Sequence, residues 1–468
     1  MQIPQLMHEQ YCQAKELIEN ASDIKVYSHI DCDGICSGAI LSTILDRQNK
    51  EHEIEFVNLD VLDDIELTHE LTIFSDLGSG QKIDTKAKKN QKILILDHHP
   101  PLRDLNYKND KKYTYLEINP NHHGIDGSYD VCGGGLCYFL AKEFGYDDLS
   151  WIGVLSAIGD MQNSKTGHFE GLNEIIQQDA IDGGYLELVK DDINIYGRNT
   201  RPLFVALSYF SDVKLPITNN TNETMAILEE LGIDEKHNRK TLNELTNEEK
   251  GKLFQHLMSM LTQAVPPKYI QYLPRLILGD SYTFLKEEND SILRDGSEFS
   301  TAMNACGRNH EEKIAMEVLK GDRFVALDEL EIVSKTHRTN LAKGISSVAE
   351  SDNTNIIELE NLQYFDGTGI APEIVGTITG MILGYCNWKK PIIGFTQTDN
   401  DWLKVSLRCS KLLSYDGIHF GNIIREISGE VGGSGGGHSV ACGAYIPIDK
   451  KDEFLEKFNH ELDGKLTK

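Results

Sequence analysis

The sequence predicts an α/β protein built from a parallel-sheet domain, a mainly helical middle region and a second, smaller α/β domain. Three observations lead there. The chain has 468 residues, room at roughly 150 per domain for two or three domains, each with its own core. Its N-terminal part alternates short runs of Ile, Leu, Val and Phe with helical spacing, as a parallel sheet buried on both faces requires. A β pattern returns from about residue 330, after a stretch of helical texture.

The elements follow in order. Residues 7–20 read as an amphipathic helix, DIKVYSHIDCDG as a strand ending in acidic residues, and GICSGAILSTILDRQ as the next helix. The same grammar recurs in EIEFVNLD, LTIFSDLGSG, QKILILDHHPP and YTYLEINPNHHG, where four to six apolar or β-branched residues precede a polar or glycine turn. GGGLCYFLAKEFGY and SWIGVLSAIGDM then read as helices. From about residue 211 helical runs such as NETMAILEELGI and TNEEKGKLFQHLMSMLTQ are joined by polar loops. NTNIIELENLQYF, KKPIIGFTQT, WLKVSLRCS and HSVACGAYIPI restore the β pattern, and DEFLEKFNHELDG closes the chain as a helix. The expected division is 1–210, 211–325 and 326–468, with an active-site cleft between the two α/β lobes.

Composition excludes several classes. Apolar residues make up 40%, glycines number 40 and charged residues stand at 25%, which is ordinary for a soluble globular chain. Lys and Arg total 46 against 73 Asp and Glu, a net charge of −27 that argues against a chain-wide basic surface for duplex DNA. It leaves room for a local basic groove and for a metal site. No apolar stretch approaches a membrane span and the first residues lack a signal-peptide pattern, so the expected location is the cytoplasm, with no membrane partner. The nine cysteines are scattered and lack zinc-knuckle or redox-pair spacing, which reads as reduced thiols, mostly buried.

Chemistry concentrates where these elements end. His29, Asp31 and Asp33 lie in SHIDCDG, Asp76 in SDLGSG, Asp97, His98 and His99 in LDHHPP, and Asp160 in AIGDM. In a parallel sheet such ends meet at one edge, where ligands gather. Carboxylates crowded there repel one another unless cations neutralise them, and mixed imidazole and carboxylate donors suit Mn²⁺ or a similar ion. A pair of metal ions is the economical answer, because two ions about 3.5–4 Å apart can activate a water and hold phosphate oxygens for in-line attack. The bland alternative is that each Asp caps a helix. Cys32, between two acidic residues, is expected to face inward, since hard ions prefer oxygen and nitrogen.

Elsewhere, Arg308 and Arg408 can each make bidentate bonds to phosphate, and Ser406 adds a hydroxyl. In GGSGGGH the amides around Gly436 and Gly437 can approach an anion closely and His438 can donate to it, although a plain hairpin loop has the same composition. Gly133, Gly134 and Gly135 fit an anion-binding helix start or, as the better reading, close helix-to-sheet packing. Tyr129, Phe169, Tyr364, Phe365 and Tyr415 lie near these motifs in sequence and are candidates for stacking bases, with core positions as the simpler reading.

Taken together, HIDCDG, the Asp of SDLG, the DHH triplet and the Asp of AIGD resemble the four ordered motifs of the DHH phosphoesterase superfamily. GGSGGGH resembles the signature of its accessory domain, DHHA1. GRNTRPLFVALSYFSD, SEFSTAMNACGR and KVSLRCS resemble segments of the archaeal RecJ-like single-stranded-DNA exonucleases, including the branch that associates with the GINS replication complex. The resemblance implies that His29, Asp31 and Asp76 bind one Mn²⁺, that Asp33, Asp76, His98 and Asp160 bind a second, and that Asp76 bridges them; Mg²⁺ is the alternative ion. It implies catalytic roles for Asp97, His98 and His99, with Asp97 orienting the DHH histidines and His99 facing the scissile phosphate. It places Arg308, Ser406 and Arg408 in a terminal-phosphate pocket. The implied activity is exonuclease action on single-stranded DNA, and RNA, in repair or replication, with GINS as a partner. Alternatives are a small-substrate phosphodiesterase acting on nanoRNA or a cyclic dinucleotide, a pyrophosphatase, or a replisome scaffold with secondary catalysis.

Overall fold

Met7, Tyr11, Ala14 and Ile18 recur at helical spacing, which turns one face of the first helix, α1 (Gln5–Glu19), into the core. The computed structural model describes residues 2–62, 64–107, 113–233, 239–350, 353–398 and 401–466. After α1 come β1 (Ile24–His29), α2 (Cys32–Arg47), β2 (His52–Val57), β3 (Leu71–Ser75), β4 (Lys92–Leu96), β5 (Thr114–Ile118), α3 (Gly133–Glu143), α4 (Ser150–Gly159), α5 (Asn173–Asp182) and β6 (Leu186–Ile193). The middle region is helical, with α6 (Leu203–Ser208), α7 (Thr221–Glu230), α8 (Asn247–Ala264) and α9 (Pro274–Ile277). β7 (Leu278–Phe284), α10 (Gly296–Gly307), α11 (Glu312–Leu319) and α12 (Val325–Val348) follow. The last part holds β8 (Ala349–Glu350), β9 (Asn353–Thr354), β10 (Ile357–Glu358), β11 (Gln363–Asp366), α13 (Pro372–Ile382), β12 (Ile392–Gln397) and β13 (Trp402–Arg408). It closes with α14 (Lys411–Tyr415), α15 (Phe420–Glu430), β14 (Ser434–Gly437), β15 (Ala441–Pro447) and α16 (Lys451–Glu461).

Two compact units emerge, one of residues 1–192 with 279–335 and the other of residues 193–278 with 336–468. In the first, five strands run parallel in the order β2-β1-β3-β4-β5. The central strand β3 is buried along its whole length, as its unbroken LTIFS run requires. In the second, a six-stranded sheet has the order β10-β11-β12-β13-β15-β14 and is antiparallel except between β11 and β12. The middle helices bury their own core of Leu253, Leu257, Leu261, Tyr269 and neighbours within the second unit. Among the described residues no helix is long and apolar enough to cross a membrane.

The compact units divide the chain elsewhere than at the boundaries after residues 210 and 325. Residues 279–335 join the first unit because Tyr282, Phe284, Phe299, Met303, Cys306 and Val318 are buried in its core. Residues 325–348 form a single helix, so β texture begins only at 349. Its buried stripe is Ala326, Leu330, Ser334, His337 and Leu341, and two polar members hide the helical period from an apolar reading. NTNIIELENLQYF yields three short strand pieces rather than one.

A close approach joins the end of α10 to the loop after β1. A Cβ at Gly307, the last residue of α10, would stand 1.8 Å from the carbonyl oxygen of Ile30 and 3.7 Å from the Cα of Asp31. We expect Gly307→Ala to lower stability by about 1–3 kcal/mol through overpacking, read as a lower urea midpoint at unchanged slope. An unchanged midpoint would mean that the loop after β1 is free to move aside.

Candidate metal centre

Parallel register brings the chemistry together. Ser28 of β1 pairs with Ser75 of β3, and Ser75 with Leu96 of β4. The next residues, His29, Asp76 and Asp97, therefore stand side by side at the carboxyl edge of the sheet, with His98 and His99 just beyond. Asp31 caps α2 by accepting a hydrogen bond from the Gly34 amide at 3.0 Å, which leaves Asp33 in the first turn of that helix. Asp160 follows the last residue of α4.

The donors fall into two groups. His29, Asp31 and Asp76 offer atoms within 4.8 Å of one another, as do Asp33, His98 and Asp160. His29 Nδ1 lies 3.0 Å from Asp31 Oδ2 and 3.5 Å from Asp76 Oδ2. His98 Nε2 lies 3.2 Å from Asp76 Oδ1, 3.5 Å from Asp33 Oδ2 and 3.8 Å from Asp160 Oδ2. The two oxygens of Asp76 thus face different groups. His29 Nδ1, Asp76 Oδ1 and His98 Nε2 are buried and make no hydrogen bond. Buried polar atoms are almost always satisfied, so three orphans converging among carboxylates fit a cation centre.

A ring of further contacts aims these donors. His98 Nδ1 donates to the Gly127 carbonyl at 2.6 Å, which leaves Nε2 as the nitrogen that faces the acidic groups. His99 Nδ1 bonds to Asp97 Oδ1 at 2.8 Å, while Asp97 also accepts from the amides of Ser79 and His99 at 2.9 and 3.1 Å. Asp97 therefore orients His99 alone; a backbone carbonyl performs that task for His98. Asn119 and Asn121 donate to the carbonyls of His99 and His98 at 2.8 and 2.9 Å. Gln162 donates to Asp160 Oδ2 at 2.7 Å and accepts from Asn173 at 2.9 Å. Sequence reasoning missed Gly127, Asn119, Asn121 and Gln162, although NPNHHG and GDMQ already place three of them beside recognised motifs.

The triple glycine at the start of α3 satisfies both of its readings. The amides of Gly133 and Gly134 donate to the two oxygens of Asp33 at 2.8 and 2.7 Å, and the Ser156 hydroxyl also bonds Asp33. The anion at this helix start is thus the protein's own carboxylate. A Cβ on Gly133 would meet Asp76 Cβ at 2.7 Å and one on Gly134 would meet Ser156 Oγ at 2.1 Å, so only glycine permits the approach.

Electrostatics follow from crowding. Burial, reinforced by Asp33 and Asp31, pushes the Asp76 carboxyl up to about 8, and burial with Asp33 pushes Asp160 up to about 6. Burial works against charge on His29 and His98, yet neighbouring carboxylates overcome it and hold both well above the usual imidazole value. Asp31 and Asp97 are held below the ordinary carboxylate range, where burial is outweighed by His29 and His99 respectively.

Other sequence candidates are distributed between the units. Arg308, at the end of α10 in the first unit, is held below its ordinary value by burial despite the charge of Asp31. Ser406 and Arg408 share a face of β13 in the second unit, against α13, where a Cβ on Gly376 would stand 2.9 Å from Arg408 Nη2 and 3.4 Å from Ser406 Oγ. Gly436 and Gly437 lie in β14, paired with Gly443 and Cys442, and His438 begins the turn to β15. The glycine cluster is therefore an edge strand rather than a loop. Arg425 of α15, which the sequence reading missed, lies within 3.3 Å of where a Gly436 Cβ would be. Cys32 is fully buried with its thiol toward the Leu155 carbonyl, as expected. Phe169 and Phe365 are core residues, Tyr415 stacks on Tyr272, and Tyr129 and Tyr364 are partly buried.

Comparisons with known proteins bear on the domains and the fold. Residues 23–157 match the model of the DHH family, N-terminal domain; residues 195–273 match the DHH-CID domain, and residues 359–464 the DHHA1 domain. The first match lies in the first unit and the other two in the second; Asp160 and Arg308 lie outside all three. An uncharacterised protein of Methanocaldococcus jannaschii is 29% identical over 465 residues, covering 97% of this chain and 96% of its own length. CDC45 from Entamoeba histolytica superposes with a TM-score of 0.61 at 14% identity, covering 97% of this chain and 98% of its own. RecJ from Thermus thermophilus, solved with Mn²⁺, gives 0.58 at 13% identity, covering 99% of this chain and 55% of the longer RecJ. At these identities the structural likeness is one of fold.

The raised pKa values set a pH dependence. An unfolded carboxyl titrates near ~4, so from there to about pH 6 the folded, metal-free protein holds protons on Asp160 and Asp76 that the unfolded chain has released, and from about pH 6 to about pH 8 it still holds the one on Asp76. The raised imidazoles act in the same direction. Stability without cations therefore falls as pH rises through this window, while divalent cations, which displace those protons, bind more tightly. With a chelator, Tm should be lower at about pH 8 than at about pH 6. Added Mn²⁺ should raise Tm more at the higher pH, with about 2.7 kcal/mol expected at a hundredfold excess over Kd. A stabilisation by Mn²⁺ that is flat in pH would contradict the protonated cluster.

Proposed function

Because the chain belongs to the DHH/DHHA1 superfamily, whose members are metal-dependent phosphoesterases, we propose that it is a two-metal phosphodiesterase degrading single-stranded nucleic acid from an end. The observation that carries this reading is the trio of buried, hydrogen-bond-free donors, His29 Nδ1, Asp76 Oδ1 and His98 Nε2, set among Asp31, Asp33 and Asp160. In the proposal His29, Asp31 and Asp76 hold one Mn²⁺ or Mg²⁺, and Asp33, Asp76, His98 and Asp160 hold the other. Such a pair supplies charge neutralisation for the phosphodiester and a more acidic water.

The rest of the work belongs to the chain. Asp76, with one oxygen toward each group, fixes the spacing of the two sets. The Gly133 and Gly134 amides fix the position of the Asp33 carboxylate. His99, half-exposed and oriented by Asp97, is held above the usual imidazole value, so it donates a proton to a bound phosphate oxygen. Arg308 in the first unit, and Arg408, Ser406 and His438 in the second, are each proposed as phosphate donors, with Gly436 and Gly437 allowing close backbone approach. The RecJ of Thermus thermophilus, solved with Mn²⁺ and with Mg²⁺, shares the fold and supports a divalent cation of this class.

Hydrolysis of an end-labelled single-stranded oligonucleotide, beside duplex, RNA, dinucleotide and pyrophosphate, tests the proposal. Stepwise release of mononucleotides with Mn²⁺, reduced about 10²-fold or more in His98→Ala and in His99→Ala, is the expected result. Turnover confined to dinucleotides or pyrophosphate would replace the exonuclease reading with a small-substrate one. No hydrolysis of any of them would favour a scaffold.

Arg408→Ala separates binding from chemistry. It should weaken strand affinity about tenfold, as the loss of a charged hydrogen bond does, and make the slope of log affinity against log salt shallower by about 0.7. Turnover of bound substrate should hold. A variant that lost turnover but kept affinity would give Arg408 a role in the chemistry instead.

A further inference from the structure

Away from the sheet edge, among the described residues, the first unit carries one more mixed cluster of metal-ligating side chains: His8, Cys12 and Glu143, whose donor atoms lie within 4.8 Å of one another. We propose that these three residues bind a thiophilic divalent cation of the Zn²⁺ class, with a solvent molecule in the fourth position, and that the ion clips α1 to the C-terminal end of α3.

Packing determines the placement. The stripe Met7, Tyr11, Ala14 and Ile18 is buried and fixes the rotation of α1 about its axis. His8 and Cys12, four residues apart, then share the adjoining face, since positions i and i+4 of a helix are neighbours. The same spacing lets paired histidines chelate zinc from one helix. Glu143, the last residue of α3, completes the group. Its Oε1 lies 2.9 Å from His8 Nδ1, and Cys12 Sγ lies 3.9 Å from its Oε2. Lys15 Nζ donates to the backbone carbonyl of Glu143 at 2.9 Å. That contact holds the end of α3 in place while the carboxylate faces His8 and Cys12.

Chemistry selects the ion. One imidazole, one thiolate and one carboxylate are a familiar donor mixture for Zn²⁺, and three protein ligands leave the open position of a tetrahedral site. A neutral imidazole with two anionic ligands offsets a double positive charge. The cluster at the sheet edge offers only oxygen and nitrogen, which suit Mn²⁺ or Mg²⁺, so the two sites would sort ions by softness. Cys12 also stands apart from the other eight cysteines: all nine are free, but the rest are buried and Cys12 is exposed. Without an ion, His8 and Glu143 form only a partly exposed ion pair, of a kind that adds little to stability.

Cobalt substitution tests this independently of the proposed catalytic function, because only a thiolate ligand gives an intense near-ultraviolet charge-transfer band with Co²⁺. The reduced full-length protein, its sheet-edge site saturated with Mn²⁺, is titrated with Co²⁺. The expected result is a band that saturates at one equivalent and is displaced by Zn²⁺. It should be absent in Cys12→Ser and should require at least about tenfold more Co²⁺ in His8→Ala and in Glu143→Gln, the least that loss of a ligand brings when loss of a ligand's own partner costs 10–100-fold. With the sheet-edge site kept saturated with Mn²⁺, added Zn²⁺ should raise the Tm of the wild-type chain more than that of Cys12→Ser, a readout that also confirms the variant is folded. No band in the reduced protein would overturn the site. So would a band that survives Cys12→Ser, or one indifferent to both His8→Ala and Glu143→Gln.

Discussion

The first unit is organised around one electrostatic constraint: four carboxylates and two imidazoles, from His29, Asp31, Asp33, Asp76, His98 and Asp160, must coexist at one edge of a sheet. Burying like charges together is unfavourable unless they are paired, protonated or neutralised. The surroundings meet that demand at several points. The start of α3 is all glycine because Asp33 needs two amides and Asp76 leaves no room for a Cβ. Asp76 itself has a φ of 59°, a left-handed conformation that Asp tolerates better than most L-residues but still at some cost. Such strain at the residue facing both donor groups is what a pre-formed site would store. α10 closes against the carbonyl of Ile30 for the same purpose, holding the loop that carries Asp31.

Much of this is legible in the sequence because parallel sheets obey a simple rule. A strand long enough to be buried on both faces reads as an apolar run, and the first polar residue after it marks the sheet edge. That rule locates Asp76, Asp97 and His98 without any knowledge of register. It does not tell which neighbours aim them. Gly127 acts through its carbonyl, and Asn119 and Asn121 act through contacts 20 or more positions away along the chain, so neither type leaves a periodic trace. The long helix α12 is hidden for a related reason, since Ser334 and His337 occupy buried positions in its stripe. Most of the segment 279–335 reads as part of the middle region because its helices resemble those before it. Which core receives a helix depends on tertiary packing, which hydrophobic period alone does not encode.

The acidic composition fits this picture only if cations are placed locally. A net charge of −27 repels a polynucleotide at long range. Arginines near the proposed phosphate sites then matter more than they would on a neutral protein. Arg308 retains its position although burial disfavours its charge, with Asp31 as a compensating neighbour. Arg408 lies against α13 beside Gly376, which leaves room for its guanidinium. Both are placed by the fold rather than left to reach out from the surface, and a guanidinium so constrained loses less entropy on meeting a phosphate.

Fold alone does not decide between catalysis and scaffolding. A RecJ and a CDC45 superpose on this chain almost equally well, with TM-scores of 0.58 and 0.61, and one architecture can host either role. The decision rests on the donors. A buried polar atom left without a hydrogen bond is unfavourable, and crowding such atoms among like-charged carboxylates adds to the cost. Here His29 Nδ1, Asp76 Oδ1 and His98 Nε2 all lack a hydrogen bond. Meanwhile the opposite nitrogen of His98 is fixed by a 2.6 Å bond to Gly127 and the carboxylate of Asp33 is held by two amides. Supporting contacts that are complete around donors that are not describe a site shaped for a cation, which is what the proposed phosphodiesterase requires.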